Sequence, residues 1–175
     1  DQTLTSEYRF LPTDEPDGDF QVLQPRERKH EYSASHFENN FFILTNDDAV
    51  NFRLMKTKVD KPGREHWEEV IPHRADVLLE TFAIFRDYLV LVERHEGLRK
   101  IRIRPWDRSD EHYLEFDEPA YYAYLTQNVE FDTTLLRFAY TSMTVPRSTY
   151  DYDMKTRERT LLKQEKVLGD FDQSR

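Results

Sequence analysis

A four-part strand pattern recurs three times along this chain and constrains its fold more than any other feature. The most apolar part appears as FFILTND from Phe41, YLVLVER from Tyr88 and LLRFAYTS from Leu135, at steps of 47 residues. Each copy is preceded by one strand-like segment and followed by two more, with turn-forming residues between them. Four short strands in about 40–50 residues is the period of a β-propeller blade.

The repeat recurs segment by segment and not only as an average spacing. The preceding segments are EYSASHF from Glu31, LLETFAIF from Leu78 and YYAYLTQ from Tyr121. The third segments are NFRLMKTKV from Asn51, LRKIRIRPW from Leu98 and TYDYDMKT from Thr149. The fourth segments are WEEVIPH from Trp67, HYLEFDE from His112 and RTLLKQE from Arg159. Apolar and polar residues alternate in most of them, as in half-buried strands.

The sequence therefore predicts an all-β fold, a partial β-propeller of about three and a half four-stranded antiparallel blades. Residues 27–75, 76–118 and 119–168 form the full blades, and the segments SEYRFLP and DFQVLQP form a half blade over 5–25. An ordinary meander or sandwich with evenly spaced hairpins is the alternative. A helix through Val77 to Leu91 is a second alternative, but β-branched and aromatic residues crowd its second half.

The charge balance argues against a nucleic-acid partner. The formal net charge is −9, whereas a nucleic-acid surface needs clustered Lys and Arg. A local basic stripe of Arg99, Lys100, Arg102 and Arg104 alternates with isoleucines. We interpret that stripe as the solvated face of a strand.

Cysteine usage and hydropathy bear on compartment and membrane contact. The sequence contains no cysteine, which is compatible with a reducing compartment, and we expect a cytoplasmic location. No apolar run exceeds about five residues, whereas a membrane-spanning helix needs about 20. We therefore expect no membrane partner.

No motif for catalysis, cofactor binding or metal binding is found. None of the four glycines has Ser two positions later, so the G-x-S-x-G turn of α/β hydrolases is missing. The pair His-Glu occurs at His30 and His95, but neither is followed by the second His of a zinc motif. The acidic run TDEPDGD is interpreted as a solvated turn. We expect no catalytic, cofactor-binding or metal-binding residue.

Two long segments resemble a known family of enzymes. The runs VIPHRADVLLETFAIFRDYLVLVERHEGLRKIRI and TSMTVPRSTYDYDMKTRERTLLKQEKVLGDFD resemble the propeller of oligopeptidase B (protease II), in the prolyl oligopeptidase family of serine peptidases. The resemblance implies a seven-bladed propeller that covers a C-terminal α/β-hydrolase domain, where the catalytic Ser, Asp and His lie. It implies that this chain is the C-terminal half of the propeller and that residues 169–175 begin the linker to the hydrolase domain.

The resemblance also implies a function and partners. We expect a gating lid of a serine oligopeptidase that cleaves short peptides after Lys or Arg, with the hydrolase domain of the same chain as its partner. The alternative is a stand-alone propeller scaffold that binds another protein. Because a partial propeller exposes the faces of its terminal blades, we also expect the fragment to self-associate.

The first strand of each propeller blade lines the central tunnel, which gives a set of candidate tunnel residues. Acidic residues there would favour cationic peptides through field focusing, or the polar groups would simply solvate a channel. The candidates are Glu31, Ser33, Ser35, Glu80, Thr81, Tyr122, Tyr124 and Thr126.

Overall fold

The computed structural model describes residues 5–167, and nearly all of its regular structure is β-strand. The single helical element in that range is one 3-10 turn at Arg64–His66. The strands are β1 Arg9–Phe10, β2 Gln21–Val22, β3 Tyr32–Phe37, β4 Asn40–Thr45, β5 Arg53–Lys58, β6 Glu68–Ile71, β7 Val77–Ile84, β8 Tyr88–His95, β9 Leu98–Pro105, β10 His112–Tyr113, β11 Tyr121–Leu125, β12 Leu135–Ser142, β13 Ser148–Asp153 and β14 Arg159–Gln164. The region proposed as an alternative helix is two strands, β7 and β8. Residues 169–175, the predicted linker, lie outside the described range.

Each four-stranded sheet is an antiparallel meander of consecutive strands. The orders are β3-β4-β5-β6, β7-β8-β9-β10 and β11-β12-β13-β14, and β1 pairs with β2 in a separate ribbon. A meander of four strands is the architecture of a propeller blade. The prediction of an all-β partial propeller is confirmed.

The chain divides into two compact units, Asp1–Leu78 and Leu79–Arg175. The first unit contains the β1–β2 ribbon and the first sheet. Its core is formed by Leu23, Tyr32, Phe41, Ile43 and Met55. The ribbon is attached through its ring contacts, since the Phe10 and Phe41 centroids are 4.8 Å apart. The apolar run in β4 is buried on both faces, as expected for an interior strand.

The second unit contains the second and third sheets, and one apolar core joins them. Alternate residues of β8 and β9 supply Val90, Val92, Ile101 and Ile103 to that core. Alternate residues of the third sheet supply Leu136, Phe138, Tyr140 and Tyr152. Because side chains alternate between the faces of a strand, each of these strands contributes every second residue to this core.

The turns show why the hairpins close where they do. Strands β8 and β9 are joined by Glu96 and Gly97 alone, with His95 paired to Leu98. The φ angles of Glu96 and Gly97 are 52° and 82°, the left-handed combination that a two-residue hairpin of type I′ requires. The second sheet has β7 and β10 as its edge strands, and the third sheet has β11 and β14.

Candidate functional site

Five of the eight candidate tunnel residues lie along one cleft in the second unit. Its volume is about 810 Å³, and it is lined by residues of the edge strands β7 and β11 and of neighbouring segments. The five residues are Glu80, Thr81, Tyr122, Tyr124 and Thr126. The other three, Glu31, Ser33 and Ser35, lie at or within β3 in the first unit, where Ser33 and Ser35 pair with Leu44 and Phe42 of β4. The structure therefore brings together the candidates of the second and third sheets.

The carboxylate of Glu80 is held by two arginines. Its Oε1 accepts from Arg94 Nε at 2.6 Å, and its Oε2 lies 2.5 Å from Arg99 Nε. The Glu80 side chain is 13% exposed. Its charge is thus compensated within the protein, which leaves little capacity to select a basic side chain of a ligand.

Arg99 connects this ion pair to the aromatic wall of the cleft. Its Nη1 donates to the hydroxyl of Tyr122 at 2.5 Å, and its guanidinium carbon lies 4.6 Å from the ring centroid. The rings of Tyr122 and Tyr124 are 5.4 Å apart. Arg147, in the turn before β13, places its guanidinium 5.9 Å from the Tyr124 centroid. These four side chains form an alternating row of cations and rings, which we call the Arg-Tyr ladder.

Sequence reasoning missed the role of two ladder members, Arg99 and Arg147. Arg99 belongs to the basic stripe that was interpreted as solvated, and Arg147 lies in an irregular turn without periodic neighbours. Whether an arginine lies near a Tyr ring depends on how the strands pair. In this sheet Tyr122 lies opposite Thr141, and Tyr124 lies opposite Ala139. The pairing of β11 with β12 and the contact of β11 with β9 together decide which side chains share this wall.

The interpretation of the basic stripe as a solvated face is wrong for its second half. The Arg102 side chain is 11% exposed and contacts Glu93 at 2.9 Å and Glu111 at 2.8 Å. Arg104 is also buried, and its burial lowers the pKa of its guanidinium. Acidic partners on neighbouring segments, which sequence alternation cannot show, compensate Arg102 and Arg104.

Two histidines, His30 and His112, form hydrogen bonds with neighbouring side chains inside the fold. In the first unit His30 is buried, and its ring nitrogens contact Thr45 Oγ1 at 2.9 Å and Arg64 Nη2 at 3.0 Å. Burial, followed by the Arg64 charge, lowers the pKa of His30. In the second unit His112 Nε2 lies 2.8 Å from the Tyr152 hydroxyl. Neither ring is paired with a nucleophile and an acid in the arrangement of a catalytic triad.

Residues 5–167 contain neither a metal-binding cluster nor a membrane-spanning helix. Within that range no group of three or more His, Asp or Glu side chains has a geometry that could hold a metal ion. The same range contains no helix with the length and apolar character needed to cross a bilayer. The acidic turn at Asp14–Asp19 is solvent-exposed.

The fold and its repeat place the chain in a known family. The family model for the N-terminal β-propeller domain of prolyl oligopeptidase matches residues 1–165. The chain belongs to the prolyl oligopeptidase family and forms part of its N-terminal propeller domain. The resemblance inferred from the sequence is confirmed.

Relatives of this chain are peptidases of much greater length. Dipeptidyl aminopeptidase BI of Pseudoxanthomonas mexicana is 41% identical over 176 residues, covering 100% of this chain and 24% of that protein. Protease 2 of Moraxella lacunata is 28% identical over 172 residues, covering 97% of this chain and 24% of that protein. The chain thus spans about a quarter of the length of these curated relatives.

The solved structures give the same result. Oligopeptidase B from Trypanosoma brucei, in a closed form with covalently bound antipain, superposes with a TM-score of 0.87 at 31% identity. The match covers 98% of this chain and 26% of that one. Oligopeptidase B from Leishmania major gives a TM-score of 0.85 at 26% identity, again over 98% of this chain and 26% of the other.

Proposed function

We propose that this chain is part of the lid of a serine peptidase and is not catalytic by itself. The observation that carries the proposal is the match of 98% of the chain to about a quarter of oligopeptidase B, with a TM-score of 0.87. The remaining three quarters of such a protein provide room for the rest of the propeller and for an α/β-hydrolase domain, its partner. The lid admits short peptides and excludes folded proteins.

The proposed substrates are short peptides cleaved after Lys or Arg. The relatives named oligopeptidase B and protease 2 support peptide substrates, and the sequence resemblance implies cleavage after Lys or Arg. The net charge of −9 would concentrate cationic peptides near this part of the protein. Glu80 in the cleft is already compensated by Arg94 and Arg99, so we assign the selection of Lys or Arg to acids of the hydrolase domain, as the resemblance implies. We also propose a cytoplasmic location, with which the cysteine-free sequence is compatible.

A second candidate is the removal of dipeptides from amino termini. It is favoured by the 41% identity to a protein named dipeptidyl aminopeptidase. The two candidate activities use the same lid. They differ in whether the substrate's amino terminus must lie two residues before the cleaved bond.

One experiment tests both candidates. The whole protein that contains this sequence is incubated with an Arg-containing peptide, its Ala variant and the same sequence inside a folded protein. Cleavage after Arg in the peptide alone supports the oligopeptidase, and stepwise release of dipeptides from an unblocked amino terminus supports the second candidate. Absence of serine-inhibitor-sensitive cleavage in every arm contradicts the peptidase and leaves the propeller scaffold.

We propose further that the isolated chain self-associates. Large apolar side chains are exposed on the third sheet and its connections, with Val129 84%, Leu135 46% and Leu161 49% exposed. Sedimentation of the 21.2 kDa chain at micromolar concentration measures this directly, and a monomer at all concentrations contradicts it.

A further inference from the structure

The cleft carries exposed positive charge in a protein whose formal net charge is −9. Glu80 is its acidic lining residue, and two arginines already compensate that carboxylate. Arg147 is different. Within residues 5–167 its ion pair is with Glu165 at 3.6 Å, and both side chains are more than half exposed. A pair of that length and exposure contributes little, so Arg147 is available to a stronger anionic partner.

The Arg-Tyr ladder gives this charge a defined setting. From Arg99 the row passes to Tyr122, then to Tyr124, and ends at Arg147, with successive separations of 4.6, 5.4 and 5.9 Å. Arg99 is fixed at one end by Glu80, whereas Arg147 terminates the other. The rings between them offer apolar faces that stack on a side chain or a peptide plane.

The dimensions suit a short extended peptide. The cleft volume of about 810 Å³ lies within the usual range of about 300–1,000 Å³ for ligand sites. Tyr122 and Tyr124 are two residues apart on β11, so their rings are spaced like alternate side chains of an extended peptide, which rises about 3.3 Å per residue. Both long walls are edge strands, β7 and β11, whose edges can accept an extended segment.

We propose that this cleft binds the carboxyl-terminal end of a short peptide. Arg147 pairs with the terminal carboxylate, and Tyr122 and Tyr124 contact the last side chains. A chain end is favoured over an internal acidic side chain because Arg147 stands at the end of the ladder. This inference rests on the proposed function, since a peptidase always meets peptides that end in a carboxylate.

The test measures binding and not cleavage. The whole protein is titrated against an amino-terminally labelled pentapeptide of Ser, Ala and Leu with a terminal Phe and no Lys or Arg, and fluorescence anisotropy is recorded. The peptide with a free carboxyl terminus is expected to bind about tenfold more tightly than its amide, as one charge-assisted pair would give. Because the readout is binding, an inactive protein still reports on the cleft, and failure of the peptidase is distinguished from failure of this site.

A matched pair of variants assigns the effect to Arg147. Arg147→Gln is expected to reduce the acid-to-amide ratio to within about twofold of unity. Arg86→Gln is the control, because Arg86 has a similar environment: 58% exposed, paired with exposed Asp132, and 6.0 Å from the Phe131 ring centroid. Equal binding of acid and amide by the unmodified protein, or equal loss in both variants, overturns the proposal.

Two further measurements sharpen the result, and the one substitution among them is at Glu165, whose side chain is 58% exposed. Glu165→Gln removes the counterion and is expected to tighten binding of the acid peptide about two- to fivefold while leaving the amide unchanged. An amidated peptide with an internal Glu is expected to bind like the plain amide. If it binds as tightly as the free acid, the assignment to a chain end is overturned.

Discussion

Arg102 donates from Nη1 to Glu93 Oε1 at 2.9 Å, and this pair is nearly inaccessible to solvent. The Glu93 side chain is 2% exposed and also accepts from the Tyr113 hydroxyl at 2.7 Å. Strands β8, β9 and β10 each supply one of the three residues, so the network joins three strands of the second sheet. The charges of Glu93 and Arg102 are largely desolvated, so each is stabilised in the interior by the other.

Replacing Glu93 with Ala is expected to lower the free energy of unfolding by about 3 kcal/mol, the lower end of the range for a broken buried pair, because Arg102 loses its buried partner and keeps only the more exposed Glu111. Glu68→Ala is the control, since the Lys56–Glu68 pair is 43% and 72% exposed and its loss should cost less than about 1 kcal/mol. Urea denaturation of both variants measures the difference. Similar costs would show that the network is not desolvated in solution.

The fold could be predicted from the sequence because its signal is repeated. The segments beginning at Phe41, Tyr88 and Leu135 correspond to β4, β8 and β12, each the second strand of its sheet. Spacing and alternation are local properties, and three copies reinforce one another.

The partners of charged residues could not be predicted in the same way. Arg102 and Arg104 alternate with isoleucines as exposed residues do, yet they contact Glu93 and Glu111 on neighbouring segments. Arg147 joins the cleft from a turn, through the pairing of β11 with β12. The pairing of the strands, and whether the second face of a strand is buried, decide these contacts. Neither can be predicted from a few neighbouring residues.

Acid is expected to destabilise the first unit through His30. Burial and the Arg64 charge lower the pKa of the folded His30 below its ordinary value of 6.5. As the pH falls below 6.5 the unfolded chain takes up a proton that the folded chain resists, so stability is lost until the folded pKa is reached. His30→Asn should lower stability at pH 8 but reduce its decline between pH 7 and 5, measured by urea denaturation across that range. An unchanged decline would exclude His30 as its source.

Arg159 is expected to stabilise the third sheet by stacking its planar guanidinium on aromatic rings, more than by its charge alone. Its guanidinium carbon lies 5.1, 5.6 and 5.8 Å from the centroids of Phe116, Phe138 and Tyr150, and Nη2 donates to the Glu115 carbonyl. Arg159→Lys keeps the charge but loses the planar group, and should cost about 1 kcal/mol in thermal or urea unfolding. Arg9→Lys, at an exposed pair with Glu7, should be nearly neutral. Equal effects would contradict a role for ring stacking.

Gly97 is required for its backbone conformation in the β8–β9 hairpin, and not because a side chain would clash with neighbouring atoms. A Cβ at this position would meet no atom within 4 Å, but the φ angle is 82°. Gly97→Ala should therefore cost about 1 kcal/mol from left-handed strain. Gly97→Asn should recover part of that loss, because Asn tolerates this region. Unfolding curves for both variants decide, and a neutral Ala variant would show that the turn relaxes to another type.

The last prediction concerns alkaline pH and Tyr140. Burial, reinforced by the hydrogen bond that its hydroxyl donates to Glu118 at 2.8 Å, raises the pKa of Tyr140 to about 12. The unfolded chain loses this proton near pH 10, whereas the folded chain keeps it, so the stabilising contribution is present below pH 10 and declines as the pH rises towards 12. The loss from this residue can reach about 3 kcal/mol.

Tyr140→Phe should leave stability at pH 8 within about 1–2 kcal/mol, the range of one hydrogen bond, and should make the decline between pH 10 and 12 shallower. Ultraviolet titration of tyrosinate in the folded protein gives an independent reading, in which the variant lacks one late-titrating group. If the amplitude missing from the variant's titration falls near pH 10 instead, Tyr140 ionises with the exposed tyrosines and its bond to Glu118 does not persist in solution.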